Sequence, residues 1–213
     1  MSKYTEFLAQ KAVVWNGQGL DVEYNPHPVL FPFQAKIAEI ALSKGRYAIF
    51  ADTGLGKTIL QVELCRVISQ HTDMPQLIVA PLGVTHQTIK QAADLFGIKI
   101  KYAESQADLD KNWFYITNYE RLDKFDPETF GGLYLDESSI LKSIAGKTKT
   151  KLIEDWACVP YRFAFTATPA PNDVVEMANH AAFLGIMSRE EMLATMTKDG
   201  GYANTPMMVF IDG

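Results

Sequence analysis

The residues whose types and spacing indicate chemistry most clearly form a glycine-rich stretch that ends in lysine and threonine. Residues 51–58 read Ala-Asp-Thr-Gly-Leu-Gly-Lys-Thr. Glycines let a backbone turn tightly and point several N–H groups at one anion, and a helix that begins there adds a partial positive charge. Lys57 would then reach the β- and γ-phosphates of a nucleotide, and the Thr58 hydroxyl would face Mg²⁺. The stretch therefore predicts a phosphate-binding loop.

The sequence on either side favours this interpretation over an ordinary strand-to-helix turn. Residues 47–50 (Tyr-Ala-Ile-Phe) are an apolar run typical of a buried strand, and apolar residues recur at roughly helical spacing over 59–68. One departure from the usual pattern is Ala51, which stands where the first glycine is usually written. The candidate ligands of the nucleotide in this stretch are Thr53, Gly54, Leu55, Gly56, Lys57 and Thr58.

Two adjacent carboxylates follow another apolar run. Residues 133–135 (Leu-Tyr-Leu) predict a short strand that ends in Asp136 and Glu137. One carboxylate can hold the Mg²⁺ that Thr58 and the phosphates also ligate, and the next can orient or deprotonate the attacking water. We assign Asp136 to the metal and Glu137 to the water. Alone, Asp-Glu at a strand end is usually a solvated turn, but a phosphate loop in the same sheet favours the catalytic interpretation.

A pair of hydroxyls follows a further strand-like stretch. Residues 165–169 (Phe-Thr-Ala-Thr-Pro) place the hydroxyls of Thr166 and Thr168 on either side of one alanine. Both can face the same way in an extended segment, because side chains alternate along a strand. The alternative is a plain strand end closed by proline, and the stretch taken by itself favours that alternative.

Composition places these groups in one globular domain. The chain has 213 residues, of which 47% are hydrophobic and 21% charged, as is typical of a soluble globular protein. No apolar run is long enough for a membrane span, and the N-terminus lacks the apolar core of a signal peptide. Cys65 and Cys158 are expected to be buried thiols in a reducing cytosol. The net charge of −5 argues against a generally basic nucleic-acid coat but allows a local basic groove.

Strands and helices are expected to alternate, which predicts a largely parallel sheet covered on both faces, with ligands beyond the carboxyl ends of the strands. Helices are expected over 2–14, from Pro32 to Gly45, after the phosphate loop, and over 84–96, 147–157 and 173–184. Strands are expected over 47–50, 77–80, 98–102, 113–116, 133–135 and 161–165. The expected apolar stripe of the second helix is Phe33, Ile37, Ile40 and Ala41.

Taken in order, three stretches resemble the motifs of one protein family. Ala-Asp-Thr-Gly-Leu-Gly-Lys-Thr, Leu-Asp-Glu-Ser-Ser and Thr-Ala-Thr-Pro-Ala-Pro-Asn are similar to motifs I, II and III of superfamily 2 helicases. The Asp-x-Gly-Leu-Gly-Lys-Thr core and Asn172 resemble the SWI/SNF-type translocases. Residues 136–143 and 172–185 look most like bacteriophage-encoded members. The resemblance covers about residues 30 to 187.

The resemblance implies a fold and a division of the chain. We expect an α/β, RecA-like P-loop domain, with a mostly parallel sheet and helices on both faces, at residues 31–187. Residues 1–30 would be an N-terminal extension, and 188–213 a C-terminal tail or the start of a second lobe. ATP and Mg²⁺ are the implied ligands, and DNA, as single strand or duplex, is the implied partner.

Some residues gain a role only through this resemblance. Gln34 lies where the family places an adenine-reading glutamine, and a Gln amide can pair with adenine N6 and N7. A helix-surface glutamine is the alternative. Pro81 lies in the tract 79–82, which resembles motif Ia, and Thr117 lies in the tract 117–120, which resembles the following one that borders the nucleic-acid groove. Backbone N–H groups there, and the hydroxyls of Thr85 and Thr117, would contact phosphates.

Lysines are concentrated after motif II. The segment from 138 to 153 contains four lysines and no acidic residue: Lys142, Lys147, Lys149 and Lys151. A phosphate-tracking surface and a solvated helix face explain this bias equally well. Within the resemblance, Lys142, Thr166 and Thr168 are assigned to nucleic-acid contact or to its coupling with hydrolysis. Ser139 stands where many relatives carry histidine.

The resemblance also implies a missing part. In this family a second RecA-like lobe closes over the nucleotide and supplies an arginine finger. The chain has five arginines and none lies in a later motif; Arg162 would be the first to consider as a substitute. We therefore expect the N-terminal lobe of a DNA helicase or translocase, completed by a second lobe in cis or in trans, in the cytoplasm (of the host cell, if phage-encoded). The alternative is a non-catalytic, nucleotide-gated DNA-binding module.

Overall fold

The structure is a computed structural model that describes residues 19–142, 146–167, 174–188, 190–191 and 208–211. The helix expected over 2–14 and the candidate residue Thr168 lie outside the described residues. The backbone of Lys142 is described, but its side chain is not. The same holds for Lys147, Lys149 and Lys151.

A parallel sheet forms the centre of the described part of the chain. Its seven strands lie in the order β3-β4-β2-β5-β6-β1-β7, and every pairing between neighbours is parallel. The prediction of a parallel sheet is therefore confirmed. The strands are β1 Arg46–Ala51, β2 Gln76–Val79, β3 Lys101–Tyr102, β4 Phe114–Thr117, β5 Gly132–Leu135, β6 Tyr161–Thr166 and β7 Met208–Ile211.

Helices cover both faces of this sheet. The α-helices are α1 Pro32–Lys44, α2 Lys57–Thr72, α3 Leu82–Phe96, α4 Gly146–Asp155 and α5 Val174–Leu184. Short 3₁₀ segments are Gln106–Asp108, Tyr119–Lys124, Pro127–Thr129, Ser138–Lys142 and Trp156–Cys158. Buried residues of α1, α2 and α3 belong to one apolar core, and those of α4 and α5 belong to the other.

The sheet separates the two cores because successive side chains of a strand point to opposite faces. In β1, Tyr47, Ile49 and Ala51 lie in the core beneath α1–α3. Ala48 and Phe50 lie in the core on the other face. A strand buried on both sides reads as a continuous apolar run, which is why β1 was recognisable in the sequence.

Two exposure predictions are wrong. Phe33, expected on the buried stripe of α1, is 43% exposed, while Ile37 and Ala41 are buried. Its ring instead stacks on the exposed ring of Phe31, with centroids 6.1 Å apart. Cys158, expected to be buried, is exposed at the end of a 3₁₀ turn.

Two strands also differ from expectation. The strand expected over 98–102 is reduced to Lys101–Tyr102. Met208–Ile211, not expected to be a strand, pairs with β1 and extends the sheet at that edge. This pairing attaches part of the predicted tail to the same sheet as the phosphate loop.

A buried carboxylate fastens the segment before α1 to α2. Glu63 accepts hydrogen bonds from the Tyr24 hydroxyl at 2.9 Å, from the His27 N–H at 3.1 Å and from the Arg66 guanidinium at 2.8 Å. Burial by itself would raise the pKa of Glu63, but these hydrogen bonds outweigh it and hold the pKa below its ordinary value. The network fixes the chain that leads into α1, and α1 carries Gln34.

Replacing Glu63 by glutamine should destabilise the domain by about 2 kcal/mol, because a buried, charge-assisted set of hydrogen bonds is lost. The folded-state pKa of Glu63 is depressed, so its stabilisation is present above the unfolded pKa of about 4.3 and is lost as pH falls through the folded-state pKa. Urea unfolding at pH 7 and along an acid series measures both effects. Glu39→Gln, at an exposed ion pair with Lys36, is the control and should change stability by less than about 0.5 kcal/mol. Equal stability of Glu63→Gln and wild type would contradict the role given to this carboxylate.

Candidate nucleotide-binding site

The phosphate loop, residues 52–56, joins the end of β1 to the start of α2. Gly54 and Gly56 have φ angles of 89° and 82°, in the left-handed region that favours glycine. Gly56 immediately precedes α2, and no side chain caps the helix there. The first N–H groups of α2 are thus available to an anion, and the helix dipole favours negative charge at the same place.

Lys57 is already held across this loop. Its Nζ donates to the Ala51 carbonyl at 2.9 Å and lies 3.5 Å from the Asp52 carbonyl. The Asp52 carboxylate accepts the Thr53 N–H at 2.8 Å, which closes the other side of the turn. The ammonium group therefore lies where a phosphate bound by the loop would meet it.

Gln34 is tied to the loop and does not lie on the helix surface. It is 2% exposed; its Nε2 donates to the Leu55 carbonyl at 3.0 Å, and its Oε1 accepts the Phe31 N–H at 3.0 Å. A Cβ on Gly56 would lie 2.3 Å from Gln34 Nε2, so this contact requires the glycine. The helix-surface alternative is excluded, while contact with adenine stays a prediction.

Asp136 is held from several directions directly after β5. Its N–H donates to the Val79 carbonyl at 2.8 Å, and its carbonyl accepts the Tyr119 hydroxyl at 2.7 Å. Gln61 Nε2 donates to its carboxylate at 2.7 Å. Gln61 lies one turn after Lys57 and faces the same side of α2, so this bond brings the phosphate loop and the carboxylate together.

The environment of Asp136 opposes its charge. Burial raises the pKa of Asp136, and the neighbouring Glu137 charge adds to that effect. The hydrogen bond from Gln61 and the Lys57 ammonium act in the opposite direction without cancelling it. Such a carboxylate is destabilised while it lacks a cation and is well prepared to accept one.

Glu137 occupies an unusual backbone position. Its φ angle is +49°, and its side chain is half-buried. The next residue, Ser138, is fully buried and bonds both to the Phe165 carbonyl, at 3.0 Å, and to His180 Nε2, at 2.7 Å. The carboxylate assigned to the water is therefore held between two anchored neighbours.

Three residues of this site were not identified from the sequence: Gln61, Tyr119 and His180. The sequence contains one usable signal for Gln61, since a polar residue one turn after Lys57 must share its helix face. It contains none for Tyr119 and His180, because their partners lie 17 and 42 residues away along the chain.

The edge expected to contact nucleic acid differs from the prediction in its side chains. The Thr85 hydroxyl donates to the Leu82 carbonyl at 2.6 Å and is buried. Thr117 and Thr166 are also buried, and the Thr117 hydroxyl has no hydrogen-bond partner among the described residues. These hydroxyls do not face solvent, so a phosphate contact here would use the main-chain N–H groups that follow Pro81. Pro81 immediately precedes α3, and no side chain caps the helix there.

The arginines of the described part of the chain are engaged elsewhere. Arg162 is fully buried at the amino end of β6, opposite the phosphate loop, and donates to the Phe183 and Leu184 carbonyls. Burial, with a smaller effect of Arg46, lowers its pKa to about 9. Arg162 therefore cannot serve as a substitute arginine finger without rebuilding the domain. Arg66 pairs with Glu63 and Arg121 with Glu104.

Searches of protein-family models and of curated proteins find no match. Among solved structures, the chain is similar to the Sulfolobus solfataricus SWI2/SNF2 ATPase core in complex with dsDNA, with a TM-score of 0.71 and 20% identity over 89% of this chain and 46% of that one. It is also similar to the UvsW helicase from bacteriophage T4, with a TM-score of 0.59 and 18% identity over 87% of this chain and 64% of that one. The fold is RecA-like. The chain spans less than two thirds of either structure.

Oxygen donors at the carboxyl edge of this RecA-like domain suit a Mg²⁺ ion shared with a nucleotide. Mg²⁺ is usually held by one or two side chains together with substrate phosphates. Thr58 in the first turn of α2 and the Asp136 carboxylate provide such oxygens. Within the described ranges no three His, Cys, Asp or Glu side chains come together as metal ligands, so the phosphates would have to complete the site.

Among the described residues, no helix has both the length and the apolar character that a membrane span needs.

Replacing Asp136 by asparagine should raise the Tm of the nucleotide-free domain and remove the Mg²⁺ dependence of ATP binding. The folded-state pKa of Asp136 is raised, so the stabilisation it gives is full below the unfolded pKa of about 3.9 and is lost as pH rises through the folded-state pKa. At pH 7 the neutral amide avoids this loss. Gln61 Oε1 is buried and has no hydrogen-bond partner in the described part of the chain, so the Gln61 amide can turn and accept from the new asparagine.

Thermal unfolding at pH 7 and ATP titrations with and without Mg²⁺ measure the two effects. Asp94→Asn, at an exposed pair with Lys90, is the control and should leave both unchanged. A lower Tm together with an unaltered Mg²⁺ dependence would show that Asp136 is not the metal ligand.

Proposed function

We propose that this chain is the ATP-binding lobe of a nucleic-acid-dependent ATPase of the superfamily 2 helicase and translocase type. In this proposal it binds Mg-ATP and hydrolyses it when a second RecA-like lobe completes the site. The observation that carries the proposal is the Gln61–Asp136 hydrogen bond of 2.7 Å. It joins an uncapped helix N-terminus, with Lys57 in its first turn, to a buried carboxylate, which is the combination that Mg-ATP requires.

In this proposal each residue of the site has one role. The loop N–H groups and Lys57 would bind the phosphates, and Gln34, which bonds to the loop at the Leu55 carbonyl, would read the adenine base. Thr58 and Asp136 hold Mg²⁺, which when bound neutralises phosphate charge. Glu137 orients the attacking water and accepts its proton.

DNA is the proposed nucleic-acid partner. The structurally similar Sulfolobus solfataricus ATPase core is complexed with dsDNA, which supports this choice over RNA. The surface would include the main chain after Pro81 and the lysine-rich segment that begins at Lys142. The similarity to the bacteriophage T4 UvsW helicase supports a bacteriophage-type protein.

A non-catalytic, nucleotide-gated DNA-binding module is the second candidate. The observation that favours it is the burial of Arg162 away from the phosphate loop, together with the ion pairs of Arg66 and Arg121. None of the arginines that the structure describes is directed at the phosphate loop, and a transition state that receives no arginine lacks a major source of charge stabilisation. Turnover in the presence of a second lobe separates the two candidates.

By itself the chain should bind Mg-ATP, hydrolyse it slowly and respond little to DNA. An arginine finger contributes about 10³- to 10⁵-fold to turnover, so addition of the partner lobe should raise the rate by at least about 10³-fold. Glu137→Gln should lower the completed enzyme's rate by about 10²- to 10⁴-fold with ATP affinity intact. Steady-state ATPase assays, with and without single-stranded and duplex DNA, measure these effects.

Glu120→Gln changes an exposed carboxylate that follows β4, at the same edge of the sheet as Glu137, and serves as the matched control. Fast, DNA-stimulated turnover by the chain alone would contradict the requirement for a second lobe. A Glu137→Gln variant as active as Glu120→Gln would remove Glu137 from the reaction.

A further inference from the structure

Glu137 has a backbone conformation that its own side chain disfavours. Its φ angle is +49°, and in this left-handed region the Cβ of any residue but glycine lies close to a carbonyl oxygen. A residue keeps such a conformation only where the surrounding structure holds it. Contacts on both sides of Glu137 hold the turn from Asp136 to Ser138.

The residue before Glu137 is fixed by the sheet and by neighbouring side chains. The N–H of Asp136 pairs with the Val79 carbonyl, as a continuation of the ladder between β2 and β5. The Tyr119 hydroxyl holds its carbonyl, and Gln61 holds its carboxylate. These contacts set the start of the turn but not the direction in which the chain leaves Glu137.

The residue after Glu137 sets that direction. Ser138 Oγ is 3.0 Å from the Phe165 carbonyl and 2.7 Å from His180 Nε2, and both Ser138 and His180 are fully buried. A serine hydroxyl has one proton, and a carbonyl can only accept it. The hydroxyl donates to the Phe165 carbonyl. For the 2.7 Å contact to be a second hydrogen bond of the same hydroxyl, His180 must carry its proton on Nε2 and donate it to the serine oxygen.

His180 is itself placed by packing against the strand that leads into the phosphate loop. It belongs to α5, and its ring meets the edge of Phe50 in β1 with centroids 5.2 Å apart and planes at 85°. Through Ser138 it also contacts the turn after β5 and the end of β6. One imidazole thus connects the three strands whose ends carry motifs I, II and III.

We infer that His180 is a positioning residue for the reaction. By donating to Ser138 it anchors the far end of the turn and so holds Glu137 in its left-handed conformation. This inference rests on the proposed function for the role of Glu137, but the anchoring itself is a property of the nucleotide-free domain. It predicts that loss of the Nε2–H donor loosens motif II and slows hydrolysis without weakening ATP binding.

Two substitutions of His180 test the donor. His180→Gln keeps an N–H donor near the position of Nε2, whereas His180→Leu keeps apolar volume and removes the donor. Hydrogen exchange of the backbone amides of 137–140, including the Ile140 N–H that bonds to the Glu137 carbonyl, reports the turn directly. Exchange there should be faster in His180→Leu and near wild type in His180→Gln. His71→Gln, at an exposed histidine on α2, is the control.

Single-turnover hydrolysis and ATP titration provide the functional readout. The rate of His180→Leu should fall by on the order of 100-fold, because a small displacement of a catalytic group has an effect of that size. The ATP Kd should stay within about twofold, since the phosphate loop is not altered. His180→Gln should recover most of the rate.

A double variant separates positioning from mere stability. Ser138→Ala removes the oxygen that accepts from the buried Nε2 of His180 and should lower the Tm, and combining it with His180→Leu, which removes that donor as well, should recover part of the lost Tm. The hydrolysis rate should stay low in the double variant. Recovery of the rate together with the Tm would show that the pair acts only through stability and would overturn the inference.

Exchange at 137–140 that is unchanged in His180→Leu would also overturn the inference. These outcomes differ from failure of the proposed function, which would appear as a wild-type chain that does not bind Mg-ATP. The exchange experiment uses nucleotide-free protein, and the double variant gives a measurable Tm even where His180→Leu alone folds poorly. Hydrogen exchange and the Tm values therefore test the anchoring of the turn even if the chain does not bind ATP.

Discussion

The hydrogen bond from Gln61 to Asp136 is the contact on which the candidate site depends. It joins the first turns of α2 to the end of β5 across 75 residues of sequence, and both side chains are buried. Without it the buried Asp136 carboxylate would keep only a backbone hydrogen bond from Glu137 and the Lys57 charge to oppose the cost of burial. The same bond sets the distance between the phosphate loop and the proposed metal ligand. The nucleotide-free protein thus holds the parts of the site in place at some expense of stability, as is common where function requires a buried charge.

Conformational strain lies next to this bond. Gly54 and Gly56 adopt positive φ angles without penalty. Because Gly56 also lacks a Cβ, the amide of Gln34 can approach the loop so closely that a Cβ there would collide with it. Glu137 adopts a positive φ angle without being glycine, and the contacts on either side of it make that possible. The phosphate loop, the proposed metal ligand Asp136 and the proposed catalytic carboxylate of Glu137 are therefore positioned by side chains that have no proposed contact with the phosphates, the metal or the attacking water. Pre-organisation of this kind keeps rearrangement during the reaction small.

The sequence was informative where structure is local and silent where it is not. The strand before the phosphate loop, the loop and the helix after it are adjacent in the chain, so their pattern sufficed, and the alternation of strands and helices predicted the parallel sheet. Gln61, Tyr119 and His180 act on partners 17 to 75 residues away, which no local pattern reveals.

The exposure of Phe33 and Cys158 was predicted wrongly because apolar character alone does not decide exposure. Phe33 lies beside another exposed ring, and Cys158 lies at the end of a turn that buries Trp156 instead. The hydroxyls of Thr85 and Thr117 were expected at a surface, but both are buried, because Thr85 bonds back to its own helix and Thr117 lies within the sheet.

We propose above all that residues 52–58 bind the phosphates of ATP. Isothermal titration of the purified chain with Mg-ATP, compared between wild type and Lys57→Ala, tests it most directly. Removal of the ammonium group leaves the loop N–H groups to face the β- and γ-phosphate charge alone, so the Kd should rise by about 10- to 100-fold. Lys111→Ala, at an exposed lysine remote from the loop in sequence, should bind as wild type does. An unchanged Kd in Lys57→Ala would contradict the assignment of the phosphate loop, and with it the proposed nucleotide-binding site.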